Sequence, residues 1–111
     1  MVCNERYLSR SVRQKERVVP YYALIYELVD DYIERRAAFR AEHLKLAAES
    51  HARGELVMGG AFAEPPDKAL LIFRAEDRSA PETFVREDPY VLHGLVKSWK
   101  VRNWNVVIGN K

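Results

Sequence analysis

The sequence predicts an α+β domain, a four-stranded antiparallel sheet with two helices on one face. Three observations predict it. The apolar periodicities run in the order strand, helix, strand, strand, helix, strand, which is the split βαβ, ferredoxin-like pattern. The two strands that this order places centrally, residues 21–29 and 68–75, are the ones that read as apolar on both faces. A long helical pattern lies between the first two strands and stops at a glycine, Gly54.

Size and charge bound what such a domain does. At 111 residues the chain makes one domain with a modest core. With 48% hydrophobic and 31% charged residues it has the composition of an ordinary globular protein. A net charge of +2 is too small to argue for nucleic acid or a membrane surface as partner. The excess lies in residues 1–19, where Arg6, Arg10, Arg13, Lys15 and Arg17 face Glu5 and Glu16, a balance of +3. The rest of the chain then carries −1. Residues 1–19 are polar and aperiodic and read as a flexible basic arm, with the domain at 20–109. Arginine and serine in the arm resemble an organelle transit peptide, but Glu5 and Glu16 argue against one. Cys3 is the only cysteine, so no intrachain disulfide forms. With no apolar run of membrane-spanning length and no signal-peptide core, a cytoplasmic location is expected.

Pro20 opens the first strand, and Tyr21 to Tyr26 are apolar or aromatic without interruption. Asp30 or Asp31 is placed to cap a helix that runs to about Arg53. On a wheel of about 100° per residue, Ile33, Ala37, Ala41, Leu44 and Ala48 form the main apolar stripe. Tyr32, Phe39 and Leu46 form a second flank, and Glu34, Arg35, Glu42, Lys45 and Glu49 face solvent. Arg36, Arg40 and His43 fall between the two apolar strips, and His51 falls on the main stripe. Snorkelling arginines and a satisfied edge histidine account for these residues one by one. Three polar residues in one line on an inner face point to a pocket, because buried polar groups need partners or water.

Residues 55–63 read as the second strand, with Gly59-Gly60 inside it. Paired glycines imply a bulge or a close backbone approach, to a ligand or to a neighbouring element. Glu64-Pro65-Pro66-Asp67 connects to the third strand at 68–75. Ser79 is placed to cap a short helix with Pro81 in its first turn and Glu82 at the capping-box position. That helix must end by Asp88, because Pro89 pushes its predecessor out of helical geometry. Asp88-Pro89-Tyr90 therefore sets a carboxylate at a helix–loop edge, where a plain turn and a site are both at home. The last strand runs from about Lys97 to Ile108. Its apolar phase slips between Trp99-Val101 and Trp104-Val106-Ile108, which places a bulge near Asn103.

Two helices cover only one face of the sheet. The other face is apolar in both central strands, and its simplest cover is a second copy of the chain packed sheet to sheet. A homodimer is expected on that ground.

In this order, Arg40-x-x-His43-Leu44, Gly54, Gly59-Gly60, Asp88-Pro89-Tyr90, Gly94-Leu95 and Trp99 through Trp104-Asn105-Val106 resemble the YCII-related (YciI-like) family over residues 20–109. The resemblance implies a dimeric α/β barrel of ferredoxin-like protomers. It also implies a histidine–aspartate pair in a cleft, which lands on His43 and Asp88. Relatives commonly carry a proline where this chain reads Gly60-Ala61-Phe62, so the pocket rim differs. Some similar proteins are dehydrochlorinases of chlorinated aromatic compounds, and the wider superfamily includes muconolactone isomerases and small oxygenases.

A histidine oriented by a carboxylate is a general base suited to neutral pH, and the aspartate fixes the imidazole tautomer. The expected distance from Asp88 to a ring nitrogen of His43 is roughly 2.6–3.2 Å. Arg36 and Arg40 can hold an anionic or enolate oxygen, and Gly60 and Tyr90 complete the expected substrate-binding set. The chemistry expected is cofactor-free proton transfer, a lyase or isomerase acting on a small cyclic or carboxylated compound. The alternative is a non-catalytic module that binds a small anion with the same residues. No metal is expected, since His43, His51 and His93 lack ligand spacing. A phosphate-binding glycine loop and a nucleophile elbow are absent from the sequence.

Overall fold

A computed structural model of the protein describes residues 19–109. The expected arm falls almost wholly outside them. In chain order the elements are β1 (Tyr21–Leu28), α1 (Tyr32–Arg36), α2 (Arg40–Ala52), β2 (Leu56–Ala61), β3 (Lys68–Arg74), α3 (Ser79–Glu87), α4 (Pro89–Leu92) and β4 (Val96–Trp104). The strands form one antiparallel sheet in the order β2-β3-β1-β4, with β3 and β1 in the centre. This is the expected ferredoxin-like arrangement, with α4 as an added single turn.

The alternation of β1 decides where the core lies. Tyr22, Leu24, Tyr26 and Leu28 are buried, while Tyr21, Ala23, Ile25 and Glu27 are half-buried on the opposite face. Across the ladder, Tyr22 pairs with Phe73, Leu24 with Leu71 and Tyr26 with Ala69. Paired residues share a face, so these form the floor on which Phe84, Val85, Tyr90 and Leu95 pack. Each large apolar side chain buried there contributes roughly 1.5–3 kcal/mol. The other face pairs Ile25 with Leu70 and Ala23 with Ile72, and no element among the described residues covers it.

Several expectations change at this level. The long helix is two helices. At Phe39 the backbone leaves helical geometry (φ −120°, ψ 0°), and its N–H bonds back to the Arg36 carbonyl at 2.9 Å. The Phe39 ring stacks on His93 at 4.1 Å, a contact that anchors the corner between the helices. The main apolar stripe is not the inward one: Ile33 and Leu44 are exposed at 44% and 47%. The flank of Tyr32, Phe39 and Leu46 packs on the core instead.

The irregularities in the sheet also lie elsewhere. The β2–β3 register shifts between Leu56 and Met58, ahead of the paired glycines. In β4 the shift falls opposite Glu27 and Leu28, next to Lys97, and Asn103 sits in register with Tyr22. The strand ends at Trp104 because its partner β1 begins at Tyr21. Ser79 does not cap α3. Its N–H and hydroxyl both donate to Asp77 Oδ1, at 2.9 and 2.6 Å. Asp31 precedes α1 without a side-chain cap bond. Gly54 terminates α2 as expected, at φ +86°, a conformation that an L side chain resists.

Candidate functional site

The chain geometry at Asp88 follows from Pro89. Asp88 is extended (φ −71°, ψ 119°), so α3 ends there, and Pro89 restarts the chain as the first residue of α4. The Asp88 side chain caps that new turn by accepting the Tyr90 N–H at Oδ1, 3.0 Å away. Capping fixes the carboxyl group on the inner side of the junction, where it is fully buried.

Burying a carboxylate is costly unless its oxygens are satisfied, and here both are. Oδ2 accepts the Tyr26 hydroxyl at 2.7 Å. Oδ1 lies 2.8 Å from His43 Nδ1, inside the range expected from the sequence. A carboxylate only accepts, so His43 carries its proton on Nδ1 toward Asp88. Its Nε2 is left as the free ring nitrogen. The imidazole is held flat against the Tyr90 ring, with centroids 3.8 Å apart and planes 10° apart. Phe84 meets it edge-on at 6.3 Å. His43 is thus fixed on three sides, and 14% of its side chain remains accessible.

That accessible part belongs to a cavity of about 190 Å³ between α1–α2 and the β2–β3 side of the sheet. Its lining includes His43, Arg36, Arg40, Tyr90 and Gly60, all five of which the sequence nominated for this region. The Arg36 guanidinium sits 5.4 Å from the Tyr32 ring centre, a cation–π distance. Apolar walls come from Leu28, Leu44, Leu56 and Leu71. Gly60 contributes backbone only: it pairs with Leu70, on the uncovered face, and a Cβ there would meet nothing within 4 Å. The close approach is at Gly59, whose Cβ would lie 3.2 Å from Leu71 Cγ.

Tyr26 is the residue that sequence reasoning missed. Tyr26 lies in a run that is apolar or aromatic without interruption, and the phase of Leu24 places it on the buried face. Burial first, then the charge of Asp88 and the hydrogen bond to it, hold the Tyr26 phenol far above its ordinary pKa. Burial also raises Tyr90, with Tyr32 adding to it, while the Arg40 and Arg36 guanidiniums work against the rise. His51 is not part of the site; its Nδ1 lies 2.8 Å from the Leu56 carbonyl. His93 is exposed, and its carbonyl accepts Arg35 Nη2 at 2.9 Å. Among the described residues no three His, Cys, Asp or Glu side chains group as metal ligands, and no helix is long and apolar enough to cross a membrane.

The model of the YCII-related domain matches residues 19–105. Among solved structures, the chain is similar to 5-chloro-2-hydroxyhydroquinone dehydrochlorinase (TftG) from Burkholderia phenoliruptrix AC1100, in complex with 2,5-dihydroxybenzoquinone. The TM-score is 0.65 at 20% identity, over 77% of this chain and 93% of that one. At that identity the likeness speaks for the fold. No curated protein matches the chain.

Proposed function

The chain belongs to the YCII-related family, and on that footing we propose that it is a small enzyme that moves protons on a small cyclic or carboxylated compound without a cofactor. The observation that carries this reading is the 2.8 Å contact between His43 Nδ1 and buried Asp88 at the wall of a cavity. One ring nitrogen is spoken for, and the other is the base. His43 takes a proton from the substrate. In an elimination, the electron pair left behind moves through the substrate and expels a leaving group such as chloride. In an isomerisation, the proton returns at another carbon. Arg36 and Arg40 neutralise charge that develops on a substrate oxygen. A structural neighbour that is a dehydrochlorinase supports the elimination branch.

The working form is a cytoplasmic homodimer, joined through the face bearing Ile25, Leu70 and Ile72. The apolar character of this uncovered face supports the pairing. Light scattering at micromolar concentration should give twice the chain mass; a monomer would contradict the dimer.

The catalytic reading is tested by turnover. Chloride release from chlorinated hydroxyhydroquinones and isomerisation of unsaturated lactones are followed for the native protein, His43→Ala and Asp88→Asn. Folded variants should lose turnover of whichever compound the native protein converts. Full activity in either variant contradicts the assignment. Binding without turnover across the panel assigns the chain to the non-catalytic alternative.

A further inference from the structure

The dyad leaves one polar group of the cavity without a task, the hydroxyl of Tyr90. Tyr90 is 2% exposed and lines the cavity, yet its hydroxyl is buried with no acceptor for its proton among the described residues. A buried hydroxyl left unpaired is costly, and native structures keep few of them. This one cannot turn aside to find a partner. Its ring is clamped by the His43 stack and by the edge contact with Tyr32, at 5.7 Å and 88°. Its backbone N–H is tied to Asp88.

The groups around the hydroxyl are unequal to it in kind. Arg40 and Arg36 bear on it with positive charge. A guanidinium has five donors and no acceptor, so neither arginine can take the Tyr90 proton. Arg40 can donate to the phenol oxygen, but the phenol proton and the remaining guanidinium N–H groups still lack an acceptor in this corner of a largely apolar cavity. What matches three converging donors is an oxygen carrying negative charge. What matches the apolar remainder is the carbon skeleton of a ring.

We propose that Tyr90 Oη, flanked by Arg40 and Arg36, is the oxyanion subsite of this cavity, donating to the phenolate or enolate oxygen of a planar ring substrate. The assignment deepens the reading above and rests on it for the cavity being the substrate site. It divides the labour within one stack of rings. Tyr90 holds the oxygen on which charge gathers, and His43, lying flat against it, meets the adjoining part of the substrate with Nε2. The partner of the hydroxyl is the substrate oxygen.

The experiment uses the full chain and 4-nitrophenol at a pH where the probe is ionised, with 4-nitroanisole as its neutral O-methyl counterpart. Binding is followed by absorbance. The native protein should bind the phenolate more tightly than the anisole by roughly tenfold or more, as a hydrogen bond to a charged group implies. Tyr90→Phe should remove roughly 10- to 100-fold of phenolate affinity and change anisole affinity far less, and Arg40→Gln should act in the same direction. Equal affinity of the native protein for the two probes, or binding of neither, overturns the proposal, and that comparison needs no variant. A folded Tyr90→Phe that binds phenolate like the native chain also overturns it. Such a result would leave the general-base reading standing, because that depends on turnover by His43 variants and not on phenolate affinity.

Discussion

The Tyr26 hydroxyl, rising from the centre of the sheet, donates to Asp88 Oδ2 at 2.7 Å, on the opposite side of the carboxylate from His43. The dyad is in this sense a chain of three. Tyr26 fixes the outer oxygen, and the α4 cap and His43 share the inner one.

Removing the first link should be felt in both stability and chemistry. Tyr26→Phe keeps the ring in the core but leaves Asp88 Oδ2 buried without a donor. The expected loss is about 1.5–3 kcal/mol, the range for a hydrogen bond to a charged group. Urea denaturation measures it. A loss below about 0.5 kcal/mol would mean that Asp88 is held without Tyr26.

The same tyrosine predicts a response to alkali. Burial and Asp88 raise its pKa in the folded protein, whereas in the unfolded chain it titrates near its ordinary value of about 10. A raised folded pKa means that its share of stability is whole below pH 10. Above that, the unfolded chain sheds a proton that the native state keeps, so stability falls with rising pH. The slope is about 1.4 kcal/mol per pH unit for each such group. Denaturation curves between pH 9 and pH 11, on the order of one unit either side of that value, should fall less steeply in Tyr26→Phe than in the native protein. Equal slopes would contradict this linkage.

Asp88→Asn separates orientation from folding. Asparagine is also a good N-cap, so α4 should survive. The amide can present its NH2 as well as its oxygen to His43, so it does not hold the Nδ1 proton toward residue 88 as the carboxylate does, and the wrong tautomer becomes available. Turnover should fall by roughly 10²- to 10⁴-fold, with circular dichroism unchanged. Retained turnover would remove the aspartate from the mechanism.

The two glycines of β2 should behave differently. Gly59→Ala places a methyl 3.2 Å from Leu71 Cγ at the cavity wall, so it should crowd the cavity and weaken ligand binding. A Cβ at Gly60 meets nothing within 4 Å, and Gly60→Ala should stay within about 0.5 kcal/mol of the native stability. Thermal melting and 4-nitrophenolate affinity, measured on both variants, check the contrast.

The order of elements and the Asp88 junction were legible because they rest on local rules. Periodicity separates strand from helix, and proline dictates the geometry of the residue before it. The inward position of His43 was legible because polar residues inside an apolar arc are conspicuous. The wheel misjudged its neighbours for a physical reason. It presumes one unbroken helix, whereas the helix breaks at Phe39, whose ring stacks on His93. Two apolar strips of similar strength then left the choice of inner face to tertiary packing. The bulges depend on which residues of the partner strand are opposite, and Trp104 ends β4 only because β1 begins at Tyr21. Neither fact is local. Tyr26 stands in a run of apolar and aromatic residues, where its hydroxyl gives no contrast; only the fold brings Asp88 against it.

The central claim is that His43, poised by Asp88, is the base that moves substrate protons. Deuterium incorporation from D₂O into a panel of cyclic hydroxyketones and hydroxyquinones, followed by NMR, tests it most directly. The native protein should accelerate exchange at the carbon next to the oxygen-bearing one, and folded His43→Gln should return that exchange to the uncatalysed rate. Exchange that persists undiminished in His43→Gln, or native protein no faster than buffer across the panel, would contradict it.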